Sequence, residues 1–228
     1  GNTGVSSICG SSNLLAYFGY EFTNELSEIR RSLDEAGICF LHAPLFHPAM
    51  KNVAPIRKEL GVKTFFNMLG PMVNPSFPAK QLVGVFSLEL ARLYAYLYQE
   101  SDAKFSILHA LDGYDEISLT GSFKMISNGG EKLFSPQNLG LEQLSPESIQ
   151  GGSTVEESAK IFENILKGNG TKSQNQVVVA NSAAALVTAD SELSFPDAVA
   201  KAEEVLLSGK ALQVFNGLLN PKIKVSLA

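Results

Sequence analysis

The stretch HALDGYDEISLTG at 109–121 brings three carboxylates, Asp112, Asp115 and Glu116, within five positions, between an apolar run and a Thr-Gly turn. Adjacent carboxylates repel, so holding two at an apolar strand end is costly unless a cation or a basic group offsets them. Oxygen ligands with open positions beside them suit Mg²⁺, which keeps several waters and shares a substrate phosphate. Side chains at successive strand positions point to opposite faces, so Asp115 and Glu116 converge only where the backbone turns. Composition alone leaves a solvated acidic turn open as the plainer account.

Two further segments carry chemistry of the complementary sign. In GNTGVSSICGSS (1–12), glycines allow close backbone approach to an anion, hydroxyls donate to it, and a helix start follows. The segment matches neither the P-loop nor the dinucleotide fingerprint, and a capped Gly/Ser loop also accounts for it. In LFHPAMKNVAPIRKELG (45–61), a helix opened by Pro55 puts Arg57 and Lys58 in its first turn, where the helix dipole disfavours positive charge. That conflict suits an Arg57 that serves an anionic ligand, with a structural ion pair as the alternative. His47 before Pro48 could donate to a ligand, whereas His42, in an apolar run, reads as a satisfied core residue.

The elements that must position these groups follow from periodicity. KFSILHA (104–110) reads as a buried strand, so the acidic loop should leave the carboxyl edge of a sheet, where open α/β folds place ligands. ICFLH (38–42), VKTFF (62–66), QLVGVF (81–86) and QVVVA (176–180) also read as strands, and NGG inside FKMISNGGEKLFS signals a hairpin. Helices are predicted over SSNLLAYFG, capped by Ser11 or Ser12, over TNELSEIRRSLDEAG, over LELARLYAYLYQ, near 156–167, over SAAALVTA, and twice after about 195. The alternation implies a largely parallel sheet covered on both faces, in one domain over 1–228.

The chain of 228 residues, 45% hydrophobic, suffices for one large core. Its net charge of −5 argues against non-specific nucleic-acid binding, which needs a basic surface. Cys9 and Cys39 are too few for a disulfide scaffold or a zinc site. No apolar run reaches the roughly 18 residues of a membrane span. The opening GNTGVSSICG reads as the middle of a loop, so an N-terminally incomplete chain is expected, and the lack of a leader is uninformative.

The blocks GNTGVSS…GSS, FLHAPLFHPAMKNVAPIRKELGVKTFFNMLGPMVNP and DGYDEISLTG, with VVVANSAAALV and LSGKAL after them, resemble the anthranilate phosphoribosyltransferase family of tryptophan biosynthesis in order and spacing. The resemblance covers essentially the whole chain. It implies the nucleoside phosphorylase/phosphoribosyltransferase C-terminal α/β domain: a central, mostly parallel sheet flanked by helices, with the N-terminal helical domain largely missing. It implies transfer of the phosphoribosyl group of 5-phosphoribosyl-1-diphosphate to anthranilate, with release of pyrophosphate.

By that resemblance, Gly1 and Asn2 end the family's Lys-His-Gly-Asn motif, with Asn2 near anthranilate. Gly1, Asn2, Ser6, Ser7 and Ser11 fall where phosphoribosyl diphosphate binds. Arg57 contacts anthranilate, and Pro44, His47 and Met50 lie along its entry path. Asp115 and Glu116 hold Mg²⁺ on the pyrophosphate, which leaves Asp112 to shape the turn. No general base is assigned, because an aromatic amine needs little activation. The family's helical domain, its Gly-Thr-Gly-Gly-Asp and Asn-x-Ser-Thr segments and the Lys-His pair do not occur in the sequence. Thr3 stands where Arg is common, Asn13 where Asp is usual, and Ile8 and Cys9 replace more polar residues. The expectation is therefore an α/β portion of a cytoplasmic enzyme, nearly inactive alone. Full-length members dimerise through the helical domain, which leaves a monomeric state open here. The competing possibilities are a nucleoside phosphorylase of the same fold and a non-catalytic nucleic-acid-binding relative.

Overall fold

The computed structural model describes residues 9–47 and 70–220. The strand expected at 62–66 lies outside these residues, as does the Pro55 helix with its Arg57. The described residues fall into two compact units: one from 9–47, 70–77, 151–164 and 209–220, the other from 78–150 and 165–208.

The second unit carries the sheet. β1 (Lys80–Gly84) leads through α4 (Leu88–Gln99) into β2 (Lys104–Ala110), and the two strands pair in parallel, Lys80 opposite Lys104. This is the strand–helix–strand crossover that the alternation predicted. Ser87 starts α4 by accepting a hydrogen bond from Leu90 N at 3.2 Å, and Leu90, Ala91, Tyr94, Ala95 and Tyr98 form its buried stripe. β2 is buried from Phe105 to Ala110, with strands paired along both edges and α4 packed against it.

Beyond β2 the pairing changes sense. β3 (Phe123–Ser127) and β4 (Gly130–Phe134) add antiparallel strands, giving the order β1-β2-β3-β4. One of the three pairings among the described residues is thus parallel. The two-residue Asn128-Gly129 turn is too short for a helical crossover, and the acidic loop at 111–122 forms turns rather than the helix that a crossover uses. Asn128 does more than turn the chain: its side chain accepts from Phe105 N at 2.9 Å and donates to Ala103 O at 3.1 Å, capping the start of β2.

QVVVA is not a strand. It lies inside α6 (Lys172–Ala189), an 18-residue helix started by a capping box in which Thr171 and Gln174 satisfy each other's backbone N–H groups. The buried positions Val179, Ala180, Ala183, Ala184 and Thr188 keep helical spacing through the valines. The cap and the packing of small residues against α7 (Phe195–Leu207), itself buried through Ala198 and Ala202, override the β preference of three consecutive valines.

The first unit holds α1 (Ser11–Tyr17), α2 (Leu26–Ala36), α3 (Ala43–Phe46), all but the end of α5 (Val155–Leu166), and α8 (Lys210–Leu219). Phe18, Phe162 and Phe215 meet with ring centroids 5.0–5.7 Å apart. The cap of α1 is Gly10, whose N–H donates to Asn13 Oδ1 at 3.2 Å, rather than Ser11 or Ser12. ICFLH is irregular: no described strand lies beside it to take its backbone groups, and Ile38 O accepts from Ser32 Oγ at 2.7 Å instead. Neither Cys9 nor Cys39 is in a disulfide. No helix among the described residues is long and apolar enough to cross a membrane.

The helical assignment of 176–180 is testable. Val178→Ala, at an exposed site, should change stability by no more than about 0.5 kcal/mol and in the stabilising direction. Ala183→Leu, at a fully buried site, should cost about 1–3 kcal/mol by overpacking. Urea unfolding of both variants measures the contrast.

Candidate functional site

The acidic loop occupies 111–122, between the carboxyl end of β2 and the start of β3. Beside it lies the carboxyl end of β1, continued by the bond from Val85 N to Leu108 O at 2.9 Å. Buried His109 joins the same two strand ends, donating from Nδ1 to Val85 O at 2.9 Å. The expected position at the carboxyl edge of the parallel pair is therefore the observed one.

The three acids divide by their surroundings. Asp112 turns inward on the loop and accepts from Ser118 Oγ at 3.3 Å and, more closely, from Thr120 Oγ1. Thr120 also binds Ser118, through its N–H at 3.2 Å and its hydroxyl at 2.8 Å. Gly113, at φ +101°, reverses the chain so that its N–H returns to Ala110 O at 2.9 Å and Ala110 N to Tyr114 O at 3.0 Å. Asp112 thus holds the turn.

Asp115 and Glu116 remain exposed at a bend in the backbone, and neither has an ion-pair partner among the described residues. Glu116 is exposed as a residue, yet its carboxyl is shielded on the protein side. That desolvation, and then the charge of Asp115, push its pKa above the ordinary carboxylate value. Among the described residues no cluster of three His, Cys, Asp or Glu side chains could enclose a metal ion. Two open carboxylates with an uncompensated mutual repulsion fit a hard divalent cation that keeps most of its other ligands from water or phosphate, and do not fit a closed protein cage.

Two residues outside the motif set where this pair stands. Gly84, the last residue of β1, passes so close that a Cβ built on it would lie 1.7 Å from the carbonyl oxygen of Asp115. Asn181, in the middle of α6, accepts from Ile117 N and donates to Ile117 O, both at 2.9 Å. Both left a mark in the sequence. A glycine inside a strand pattern marks close backbone approach, and an asparagine within an apolar helix is a poor helix former in want of a reason. Leu119, two residues after Ile117, is fully buried at φ +60°, a strained conformation kept by the packing around it.

Of the other candidate residues, Ser11 is the exposed first residue of α1, Pro44 lies in α3, and His47 follows α3. His47 Nε2 donates to Val73 O at 2.9 Å. His42 has partners, with Nδ1 3.3 Å from Ser12 Oγ and its ring stacked on Phe22, but it is half-buried and in no strand rather than in the core. Gly1, Asn2, Ser6, Ser7, Met50 and Arg57 lie outside the described residues.

Comparison with known proteins bears on the whole chain. Residues 1–212 match the family model described as glycosyl transferase family, a/b domain. The anthranilate phosphoribosyltransferase of Flavobacterium johnsoniae is 58% identical over 218 residues, covering 96% of this chain and 66% of that protein. The crystal structure of anthranilate phosphoribosyltransferase from Thermus thermophilus superposes with a TM-score of 0.89 at 33% identity, over 97% of this chain and 67% of that one. The Saccharomyces cerevisiae enzyme, solved in complex with PRPP and Mg, gives 0.88 at 27% identity, over 97% and 63%. The chain thus spans about two thirds of the length of the relatives it matches.

Two outcomes test the loop geometry. Gly84→Ala must displace Asp115 and should cost about 1–3 kcal/mol in urea unfolding. For Glu116, the folded chain binds the proton more tightly than the unfolded chain, so stability falls as pH rises from the ordinary carboxylate range through the raised value. Glu116→Gln should remove that fall. Its melting temperature should exceed that of the wild type near neutral pH in metal-free buffer, and the difference should vanish below about pH 4.

Proposed function

Because the chain belongs to the glycosyl transferase a/b-domain family, on its anthranilate phosphoribosyltransferase branch, we propose that the full-length protein transfers the phosphoribosyl group of 5-phosphoribosyl-1-diphosphate to anthranilate, yielding N-(5-phosphoribosyl)-anthranilate and pyrophosphate in tryptophan biosynthesis. The observation that carries this is the Asp115–Glu116 pair, exposed at a bent loop off the carboxyl end of β2 with no ion-pair partner among the described residues. Such a pair suits a substrate that brings a polyanion and its counter-ion together.

In this assignment Asp115 and Glu116 hold Mg²⁺, and the bound ion would offset negative charge on the departing pyrophosphate. Gly1, Asn2, Ser6, Ser7 and Ser11 contribute backbone N–H groups and hydroxyls to the phosphoribosyl diphosphate, as glycine- and serine-rich segments before a helix do. Arg57 pairs with the anthranilate carboxylate, with Asn2, Pro44, His47 and Met50 lining its approach. Breaking the anomeric C–O bond places positive charge on the ribose, and the aniline nitrogen attacks once it is oriented; no side chain needs to remove a proton first. The native assembly is proposed to be a cytoplasmic homodimer.

Loss of anthranilate fluorescence on adding 5-phosphoribosyl-1-diphosphate and Mg²⁺ tests the activity in the full-length protein. Turnover should require both additions, and phosphate with a nucleoside should not replace them. Asp115→Asn combined with Glu116→Gln should lower turnover at fixed Mg²⁺ by roughly 100-fold or more. Unchanged Mg²⁺-dependent turnover in that double variant would mean that the loop has been misassigned.

A further inference from the structure

The Asp115–Glu116–Ile117 backbone is held at three successive peptide planes. Gly84 packs against the carbonyl oxygen of the first, between Asp115 and Glu116. Asn181 Oδ1 accepts from Ile117 N in the second, and Asn181 Nδ2 donates to Ile117 O in the third. The φ and ψ of Glu116 rotate about the bonds between the first two planes, so fixing both planes fixes the direction in which its carboxylate leaves the chain.

The orientation of the amide follows from chemistry. Ile117 N–H can only donate, so the atom facing it must be Oδ1, and both Nδ2 hydrogens are then used, on Ile117 O and on Val177 O at 2.9 Å. Ile117 itself is fully buried, so the gripped residue cannot swing out with the loop. The helix offers no other reason for an amide here. An asparagine lowers helix propensity, and in the stretch 177–187 Ser182 is the one other residue that is not Val, Ala or Leu.

Resting on the function proposed above, we infer that Asn181 is a positioning residue for the cation pair. It touches neither substrate nor metal, and it sets Glu116 beside Asp115 through the Ile117 backbone. Without it the 116–117 peptide can rotate, the two carboxylates relax apart under their own repulsion, and the cation loses its paired ligands.

The test uses the full-length protein and Mn²⁺ as the probe, with binding read by the loss of the free-ion paramagnetic resonance signal. Asn181→Ala should weaken Mn²⁺ binding roughly 10-fold or more and raise the half-saturating Mg²⁺ in turnover to match. The KM for anthranilate should hold, and turnover should largely recover at saturating Mg²⁺. Thr171→Ala, which weakens the same helix at its cap, is the control and should leave Mn²⁺ affinity unchanged. Equal weakening in both variants, or in neither, overturns the inference. If Asn181→Ala does not fold, Asn181→Asp still accepts from Ile117 N but lacks the donor for Ile117 O. Weaker Mn²⁺ binding despite the added negative charge supports the inference, and unchanged or tighter binding sinks it. Should Asp115→Asn with Glu116→Gln abolish Mn²⁺ binding while both Asn181 variants keep it, Asn181 alone has been misread. A wild-type protein that binds no Mn²⁺ removes the proposed function along with it.

Discussion

Two consecutive carboxylates repel each other, and nothing in their own chemistry keeps them side by side. In this chain the burden falls on the backbone. The loop after β2 is pinned by an inward-facing Asp112, by a glycine of β1 that leaves room for a carbonyl, and by an amide of α6 that grips the next residue from both sides. The sheet and its covering helix therefore converge on three peptide groups. Burial on the protein side, and then the neighbouring charge of Asp115, leave Glu116 with a raised proton affinity.

What could be read from the sequence depended on whether a local rule acted alone. α4 and β2 match their expected bounds because period, cap and flanking turns agree. The acidic loop could be placed at the sheet edge for the same reason, since the strand that delivers it is unambiguous. QVVVA was misleading because three β-branched residues outweigh a single capping box until the packing partner is known. ICFLH has strand composition, but a strand exists only in a pair, and its partner cannot be seen in five residues. The division of labour among the three acids was beyond spacing alone. It turns on the hydroxyls of Ser118 and Thr120, which look like ordinary turn residues.

The mixed sheet has a similar origin. A run of alternating apolar segments suggests parallel strands, but sense is decided by the connection, and after β2 the described connections are a loop of turns and a two-residue hairpin, neither with a crossover helix. The hairpin turn then acts at a distance: Asn128 closes the backbone groups at the start of β2, at the end remote from the acidic loop. One central strand is thus finished at one end by an amide from its neighbours' turn, and followed at the other by a loop that an amide from a helix secures.

The glycines of this region differ in what they can become. Gly113 is constrained by its backbone angle and has open space around it, so an asparagine, which enters the left-handed region readily, is an acceptable replacement there. Gly84 has no special angle, and its limit is volume: the nineteen alternatives all carry the one atom that Asp115 already displaces. Over evolutionary time the two positions should therefore drift differently, one within a small palette and one not at all. A search for reactive groups would pass over both.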